Sequence, residues 1–174
     1  VEGAQAFGLS LMDNEYYPHV TSQVTTASQF CSDLGIGPKL VDNIYTIFKS
    51  YVTRVAAGKL KNEWPAKKIE EKGVQEYGTI SGRPRRVGDF DKEMAARAVK
   101  ENTANIAALT CIDKLFEGNE GVTRYEDLTK DAREFIEDIE THLKDNCYHE
   151  FKGVGLISTG PNADDVVDRS WGKI

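Results

Sequence analysis

The strongest constraint on the fold is the alternation of short apolar runs with amphipathic segments. Residues 106–112, Ile-Ala-Ala-Leu-Thr-Cys-Ile, form a continuous apolar run, which is typical of a buried strand. A segment before it has helical periodicity, with a start at Asp89 or Asp91 and an end near Asn102. Strands that are separated by helices indicate an α/β fold.

Further segments continue this alternation. Apolar residues recur at helical spacing over 39–50, which predicts a helix there. The β-branched and aromatic residues 51–55 predict a strand, and so does the apolar run 154–157. A second long helix is expected to begin at Thr129 or Asp131 and to bury one apolar face.

Composition limits the classes of function. A chain of 174 residues that is 40% hydrophobic and 29% charged can form one domain with a sizeable core. Its 22 basic and 28 acidic residues leave a net charge of −6, which disfavours binding to nucleic acid. No apolar stretch is long enough for a membrane helix. The spacing of Cys31, Cys111 and Cys147 predicts neither a zinc site nor disulfides, so we expect a reducing cytoplasm.

The segment 78–86, Gly-Thr-Ile-Ser-Gly-Arg-Pro-Arg-Arg, is the most informative for chemistry. Glycine lets a backbone approach a ligand closely, and arginine offers a planar fork of donors that matches carboxylate or phosphate. These residues predict an anion clamp. From the residues alone, a solvated basic loop is an equally good interpretation.

Two further candidates follow predicted strands. Asp113 comes directly after the run 106–112, and ligands of open α/β sheets bind at the carboxyl ends of strands. A carboxylate there can accept paired N–H groups from a base such as guanine, although a helix cap or a surface ion pair is favoured by the residues alone. Residues 158–161, Ser-Thr-Gly-Pro, follow the strand predicted at 154–157 and suit either a ligand cradle or a plain turn.

Several short sequence blocks, taken in their order along the chain, form a pattern that is specific for one protein family. They are Val-Glu-Gly-Ala-Gln-Ala-Phe-Gly at 1–8, Tyr-Pro-His-Val-Thr-Ser at 17–22, Thr-Thr-Ala at 25–27, Gly-Ile-Gly-Pro at 35–38, Tyr-Val-Thr-Arg-Val at 51–55, Glu-Tyr-Gly-Thr-Ile-Ser-Gly-Arg-Pro-Arg-Arg at 76–86, and Ile-Ser-Thr-Gly-Pro at 157–161. This series resembles the adenylosuccinate synthetase family over nearly the whole chain.

The resemblance implies the C-terminal part of a fold like that of the P-loop NTPases, an α/β mixed sheet with flanking helices. Residues 1–174 would form the C-terminal half of a compact, archaeal-type enzyme. That enzyme would be a cytoplasmic homodimer that uses GTP, Mg²⁺, IMP and L-aspartate to form adenylosuccinate, GDP and phosphate through 6-phosphoryl-IMP.

The resemblance also implies roles for individual residues. The expected IMP contacts are Gln5, Thr21 and Arg83. The loop that is expected to close over aspartate comprises Thr79, Ile80, Ser81, Gly82, Arg83, Pro84 and Arg85. The expected GTP contacts are Arg85, Cys111, Ile112, Asp113, Ser158, Thr159 and Gly160.

Two departures from the family pattern qualify these expectations. The family has Thr-Lys-x-Asp before the guanine-reading aspartate, whereas this chain has Thr-Cys-Ile-Asp at 110–113, so a lysine stem that could cover the base is missing. The phosphate loop, the catalytic aspartate and histidine, and the Mg²⁺ ligands are expected in an N-terminal half outside this chain. We therefore expect no catalytic or metal-ligating residue here and no turnover by the chain alone. The alternative is a non-catalytic nucleotide-binding or assembly module derived from the enzyme.

Overall fold

The structure is a computed structural model that describes residues 1–3, 5–55, 57–79 and 81–170. Its strands are β1 (Tyr45–Lys49), β2 (Val52–Arg54), β3 (Arg86–Gly88), β4 (Ile106–Thr110), β5 (Gly153–Ser158) and β6 (Val166–Asp168). Its α-helices are α1 (Ala27–Leu34), α2 (Ala66–Glu71), α3 (Lys92–Asn102), α4 (Ile112–Leu115) and α5 (Lys130–Asn146), and short 3₁₀ turns span Pro38–Leu40 and Tyr125–Asp127.

The strands form one larger and one smaller sheet. The larger sheet has the order β1-β4-β5-β6, in which β1, β4 and β5 are parallel and β6 is antiparallel to β5. The smaller sheet pairs β2 with β3 in antiparallel fashion. This mixed sheet with flanking helices confirms the predicted α/β fold class.

The core lies between the larger sheet and the helices α3 and α5, which pack against each other. Helix α5 buries the apolar face that its periodicity predicts, including Ile136, Ile139 and Leu143. The strands contribute Leu109 and Ile157, both with no exposed surface. Because β4 is buried along both faces, it has the continuous apolar sequence of a central strand.

The two long helices begin where the sequence predicts. Asp91 caps α3, since its side-chain carboxylate accepts hydrogen bonds from the backbone N–H groups of Glu93 and Met94, both at 3.1 Å. Helix α5 begins directly after Thr129. In the part of the chain that the structure describes, no helix has the length and apolarity needed to cross a bilayer.

The helix predicted over 39–50 is wrong. Its first residues form only the 3₁₀ turn Pro38–Leu40, and Tyr45–Lys49 is strand β1. Ile47, which helical periodicity assigns to a buried face, is 64% exposed. The aromatic and β-branched residues of this segment suit a strand equally well, and parallel pairing with β4 along its full length decides between the two.

Candidate functional site

Two segments that the sequence analysis named as candidate ligand contacts, 111–113 and 158–160, lie at one edge of the larger sheet. Strands β4 and β5 run parallel, with Leu109 paired to Ile157 near their carboxyl ends. The segments that follow them, 111–113 and 158–160, therefore leave the sheet side by side. Strand β1 ends at the same edge, where Ser50 Oγ donates a hydrogen bond of 2.8 Å to the Cys111 carbonyl. The carboxyl edge of parallel strands is where α/β proteins bind their ligands.

Asp113 occupies a sheltered position at this edge. The strand predicted over 106–112 ends at Thr110, because Cys111 adopts a left-handed conformation with φ 63° and α4 begins at Ile112. This turn places Asp113 in the first turn of α4, where its side chain is only 7% exposed. Its carboxylate oxygen lies 3.4 Å from Lys114 Nζ. The structure thus shows a sheltered carboxylate that also forms an ion pair with the exposed Lys114.

The Cys111 side chain packs against a smaller apolar cluster that is formed by Tyr51, Trp64, Ile69, Val74 and Val87. Burial raises the pKa of the Tyr51 hydroxyl far above its usual range, and the nearby Cys111 and Glu76 raise it further because a phenolate beside them would face negative charge. Tyr51 therefore stays a neutral hydrogen-bonding group. Ile112, the other residue between Cys111 and Asp113, has no exposed surface.

Residues 158–160 form a turn that the fold holds firmly. Thr159 has no exposed surface: its N–H donates to the Asp165 carbonyl at 2.9 Å, and its hydroxyl donates to the Val122 carbonyl at 2.7 Å. Ser158 Oγ donates to the Gly160 carbonyl at 3.3 Å. A Cβ atom at Gly160 would lie 2.5 Å from Asp165 Oδ2. The Thr159 hydroxyl is thus used in an internal hydrogen bond, and the groups available to a ligand are those of Ser158 and Gly160.

The sequence analysis missed Asn119, which supports this turn. Asn119 is fully buried: its Nδ2 donates to the Phe116 carbonyl at 2.8 Å and to Thr129 Oγ1 at 2.9 Å, and its Oδ1 accepts from the Thr129 N–H at 2.9 Å. Asn119 therefore joins the segment 116–119 to the start of α5. The same segment leads to Gly121, whose N–H donates to the Thr159 carbonyl at 3.1 Å. An asparagine in a loop rich in polar residues carries no signal of this role.

We expect Asn119→Ala to lower the free energy of unfolding by about 2–4 kcal/mol, because it leaves the buried N–H of Thr129 without its acceptor. Urea denaturation measures the change. The control is Asn146→Ala, which removes one exposed bond to the His142 carbonyl and should cost less than about 1 kcal/mol. Equal stabilities of the two variants would contradict the assigned role.

The predicted anion clamp is a tight hairpin. The Gly78 N–H donates to the Arg83 carbonyl at 2.9 Å, and the Gly82 N–H donates back to the Gly78 carbonyl at 2.8 Å. Gly82 has φ 61°, and a Cβ atom at Gly78 would lie 2.6 Å from Ser81 Oγ, so both turn positions favour glycine. The tip, which includes Thr79, Ser81, Gly82, Arg83 and Pro84, is exposed. Ile80 lies outside the described residues.

Arg85, at the base of the hairpin, belongs to a cluster of polar residues. The cluster comprises Lys49, Tyr51, Thr53, Glu76 and Arg85. Glu76 pairs with Lys49 at 2.7 Å and with Arg85 at 3.3 Å. Neither Lys49 nor Glu76 was predicted as a site residue from the sequence. Lys49 lies in the segment 39–50, which was wrongly predicted as a helix, and Glu76 is the first residue of the block 76–86.

The IMP contacts implied by the resemblance include two residues of the N-terminal segment, Gln5 and Thr21. Gln5 and Thr21 are exposed, and the Thr21 N–H donates to the Leu9 carbonyl at 3.0 Å. Among the described residues, no hydrogen bond or ion pair joins either of them to Arg83. The segment is connected to the smaller sheet through Arg54, which donates to the His19 carbonyl.

Taken together, a basic hairpin and a sheltered carboxylate at the carboxyl edge of a parallel sheet are typical of α/β proteins that bind nucleotides. The family model for adenylosuccinate synthetase matches residues 1–120. The chain belongs to the adenylosuccinate synthetase family.

Individual relatives agree with this assignment. The chain is 45% identical to an adenylosuccinate synthetase of Methanosphaera stadtmanae over 168 residues, and 46% identical to one of Thermococcus onnurineus over 169 residues. Each alignment covers 97% of this chain but only 47% and 48% of the relative, so the chain spans about half the length of these curated relatives. A solved, fully ligated adenylosuccinate synthetase from Plasmodium falciparum superposes with a TM-score of 0.83 at 26% identity, over 97% of this chain and 49% of that one.

Proposed function

We propose that the chain forms the C-terminal half of an adenylosuccinate synthetase, in the compact form of its archaeal relatives. The enzyme joins IMP and L-aspartate in AMP biosynthesis: GTP phosphorylates the purine 6-oxygen, and the aspartate amine then displaces that phosphate. The observation that carries this proposal is the placement of Asp113 beside residues 158–160 at one sheet edge. The family assignment and the coverage of about half of each relative support it.

Asp113 is proposed to read guanine. Its carboxylate offers only acceptors, which match the ring N–H and the exocyclic amine of guanine and do not match adenine. The adjacent turn at Ser158 and Gly160 would line the other side of the base, with Cys111 and Ile112 on the strand-to-helix turn. The sheltered position strengthens such a contact, because water competes less for the carboxylate.

The hairpin is proposed to close over aspartate. Arg83 at its exposed tip can bind a carboxylate of aspartate, and it would also reach IMP together with Gln5 and Thr21. Arg85 at its base would be shared with the GTP site. Two substrates that carry carboxylates and phosphates call for such arginines, because each planar guanidinium can form paired, charge-assisted hydrogen bonds.

Among the described residues, we find no set of side chains that fits a Mg²⁺ site. In the described ranges no group of three or more His, Cys, Asp or Glu side chains could hold a metal ion, and Mg²⁺ requires an octahedral set of oxygen ligands. We therefore propose that the Mg²⁺ ligands lie outside the described residues. A cytoplasmic homodimer completes the proposal; the three cysteines, free in the structure, suit a reducing compartment.

The direct test is adenylosuccinate formation by the enzyme's complete polypeptide. Product should require IMP, aspartate, GTP and Mg²⁺ together, and omission of any one of them should abolish it. Replacement of GTP by ATP serves as the control for the guanine site. Tight binding of GTP without any product, under conditions where all substrates are present, would instead favour a non-catalytic nucleotide-binding module.

A further inference from the structure

We propose that Glu76 is a positioning residue that aims the Arg85 guanidinium and the Lys49 ammonium at an anionic ligand on the carboxyl edge of the sheet. The inference rests on the proposed function, which places Arg85 at the GTP site. It adds two residues, Glu76 and Lys49, to the machinery of that site. It also states that the part of the ligand bound by these residues is negatively charged, as a nucleotide phosphate is.

The geometry shows that one carboxylate bridges two cations. Both Glu76 oxygens accept hydrogen bonds from Lys49 Nζ, at 2.7 and 2.8 Å, and Oε2 also lies 3.3 Å from Arg85 Nη1. Thr53 Oγ1 accepts from the same two cations, at 3.0 and 3.4 Å. The Tyr51 hydroxyl lies 3.4 Å from Glu76 Oε1. Without the carboxylate, the two cations would repel each other across this short gap.

Glu76 also holds Arg85 through the backbone. The Arg85 N–H donates to the Glu76 carbonyl at 2.7 Å, which closes the base of the hairpin. This bond does not depend on the Glu76 side chain. Loss of the carboxylate alone should therefore leave the path of the hairpin unchanged and release only the aim of the guanidinium. The backbone and side-chain roles of the same residue can thus be separated.

The cluster keeps capacity for a ligand. Its two cations and one carboxylate leave a net charge of +1. Arg85 Nε is buried and has no hydrogen-bond partner among the described residues, so the guanidinium is not saturated by Glu76. The side chains of Lys49, Glu76 and Arg85 are 31%, 31% and 30% exposed, so solvent and ligands reach one side of the cluster. An anion fits this remaining charge and donor capacity.

Two other roles for Glu76 make different predictions. A purely structural ion pair that is partly exposed contributes little to stability and nothing to catalysis. Alternatively, the Glu76 carboxylate could compete with the ligand for Arg85. In that case its substitution would make the ligand bind more tightly. A positioning role predicts that loss of the Glu76 carboxylate weakens ligand binding. Without the carboxylate, part of the binding energy is needed to order the Arg85 and Lys49 side chains.

The test compares Glu76→Gln with the matched control Glu63→Gln in the complete enzyme. Glu63 forms a similar ion pair with Arg86 of strand β3 in the smaller sheet, where Arg86 Nε donates to Glu63 Oε1 at 2.8 Å. We expect Glu76→Gln to lower kcat/KM for GTP about 30-fold, chiefly through KM, and Glu63→Gln to change it less than about threefold. Glu76→Asp, which keeps the charge, should recover part of the loss.

A double-variant cycle identifies the route of the effect. In an Arg85→Lys background, Glu76→Gln should cost less than it does alone, because one of the two cations on which Glu76 acts is already altered. Additive losses, or a Glu76→Gln enzyme that behaves like Glu63→Gln or binds GTP more tightly than the unsubstituted enzyme, would overturn the inference.

A measurement without turnover separates this inference from the proposed function. The ¹⁵N NMR signal of the Arg85 side chain, assigned by its loss in Arg85→Lys, should shift or broaden in Glu76→Gln and remain in Glu63→Gln. If the unsubstituted enzyme forms no adenylosuccinate, the proposed function fails, whereas this spectrum still tests whether the Glu76 carboxylate holds the Arg85 guanidinium. An unchanged Arg85 signal in Glu76→Gln would reject that role.

Discussion

An Arg83→Leu variant of the complete enzyme is expected to lose about a thousandfold in kcat/KM for aspartate, because a charged, bidentate donor to a carboxylate is removed from the transition state. The KM for IMP should rise in the same variant, since the proposal gives Arg83 contacts to both substrates. Steady-state kinetics with each substrate varied in turn measures the two effects.

The structure indicates that this loss is not caused by unfolding. Arg83 is exposed, and among the described residues its hydrogen bonds use only its backbone: its carbonyl accepts from the Gly78 N–H, and its own N–H donates to Ser81 Oγ at 3.3 Å. The melting temperature should therefore stay within about 2 °C. Arg124→Leu, an exposed arginine that pairs with Glu126, is the matched control and should keep full activity. An Arg83→Leu enzyme with ordinary aspartate dependence would rule out the assigned contact.

The second large effect is expected from Asp113→Asn. The carboxamide presents a donor where guanine also presents donors, so kcat/KM for GTP should fall about 100-fold. ITP lacks the 2-amino group and should be affected much less, so that discrimination between GTP and ITP largely disappears. Xanthosine triphosphate, whose position 2 carries a carbonyl, should gain relative to both.

The comparison of nucleotides makes this prediction specific. A general loss of folding or of phosphate binding would reduce the use of all three nucleotides in parallel. Asp145→Asn, on the exposed surface of α5, provides the control for the same chemical change away from the sheet edge. Unchanged discrimination between GTP and ITP in Asp113→Asn would show that the guanine site lies elsewhere.

Helix and strand signals were reliable where burial repeats with one clear period. The face of α5 and the capping aspartate of α3 follow directly from local pattern and capping chemistry. The segment 39–50 shows the opposite case, because its apolar residues match a helix and a strand about equally. Only the partner strand β4, which lies some sixty residues further along the chain, decides the outcome.

The site divides in the same way. The basic hairpin, Asp113 and the turn at Ser158 could be named as candidates from the sequence, because glycine, arginine and a carboxylate after a buried strand each have a local meaning. The contacts of Glu76, Lys49 and Asn119 could not be predicted in this way. Each of them depends on how separate segments pack together, as in the Lys49–Glu76 ion pair and the hydrogen bonds between Asn119 and Thr129.

The sequence by itself therefore determined the α/β class, the family and the residue types available for anions and a purine base, since these depend on composition, periodicity and ordered motifs. The tertiary structure decided which of these residues meet. Parallel pairing of β1, β4 and β5 carries Lys49, Asp113 and Ser158 to one edge. The physical reason is that strand pairing joins backbone groups far apart in the chain, and no local preference specifies that partner.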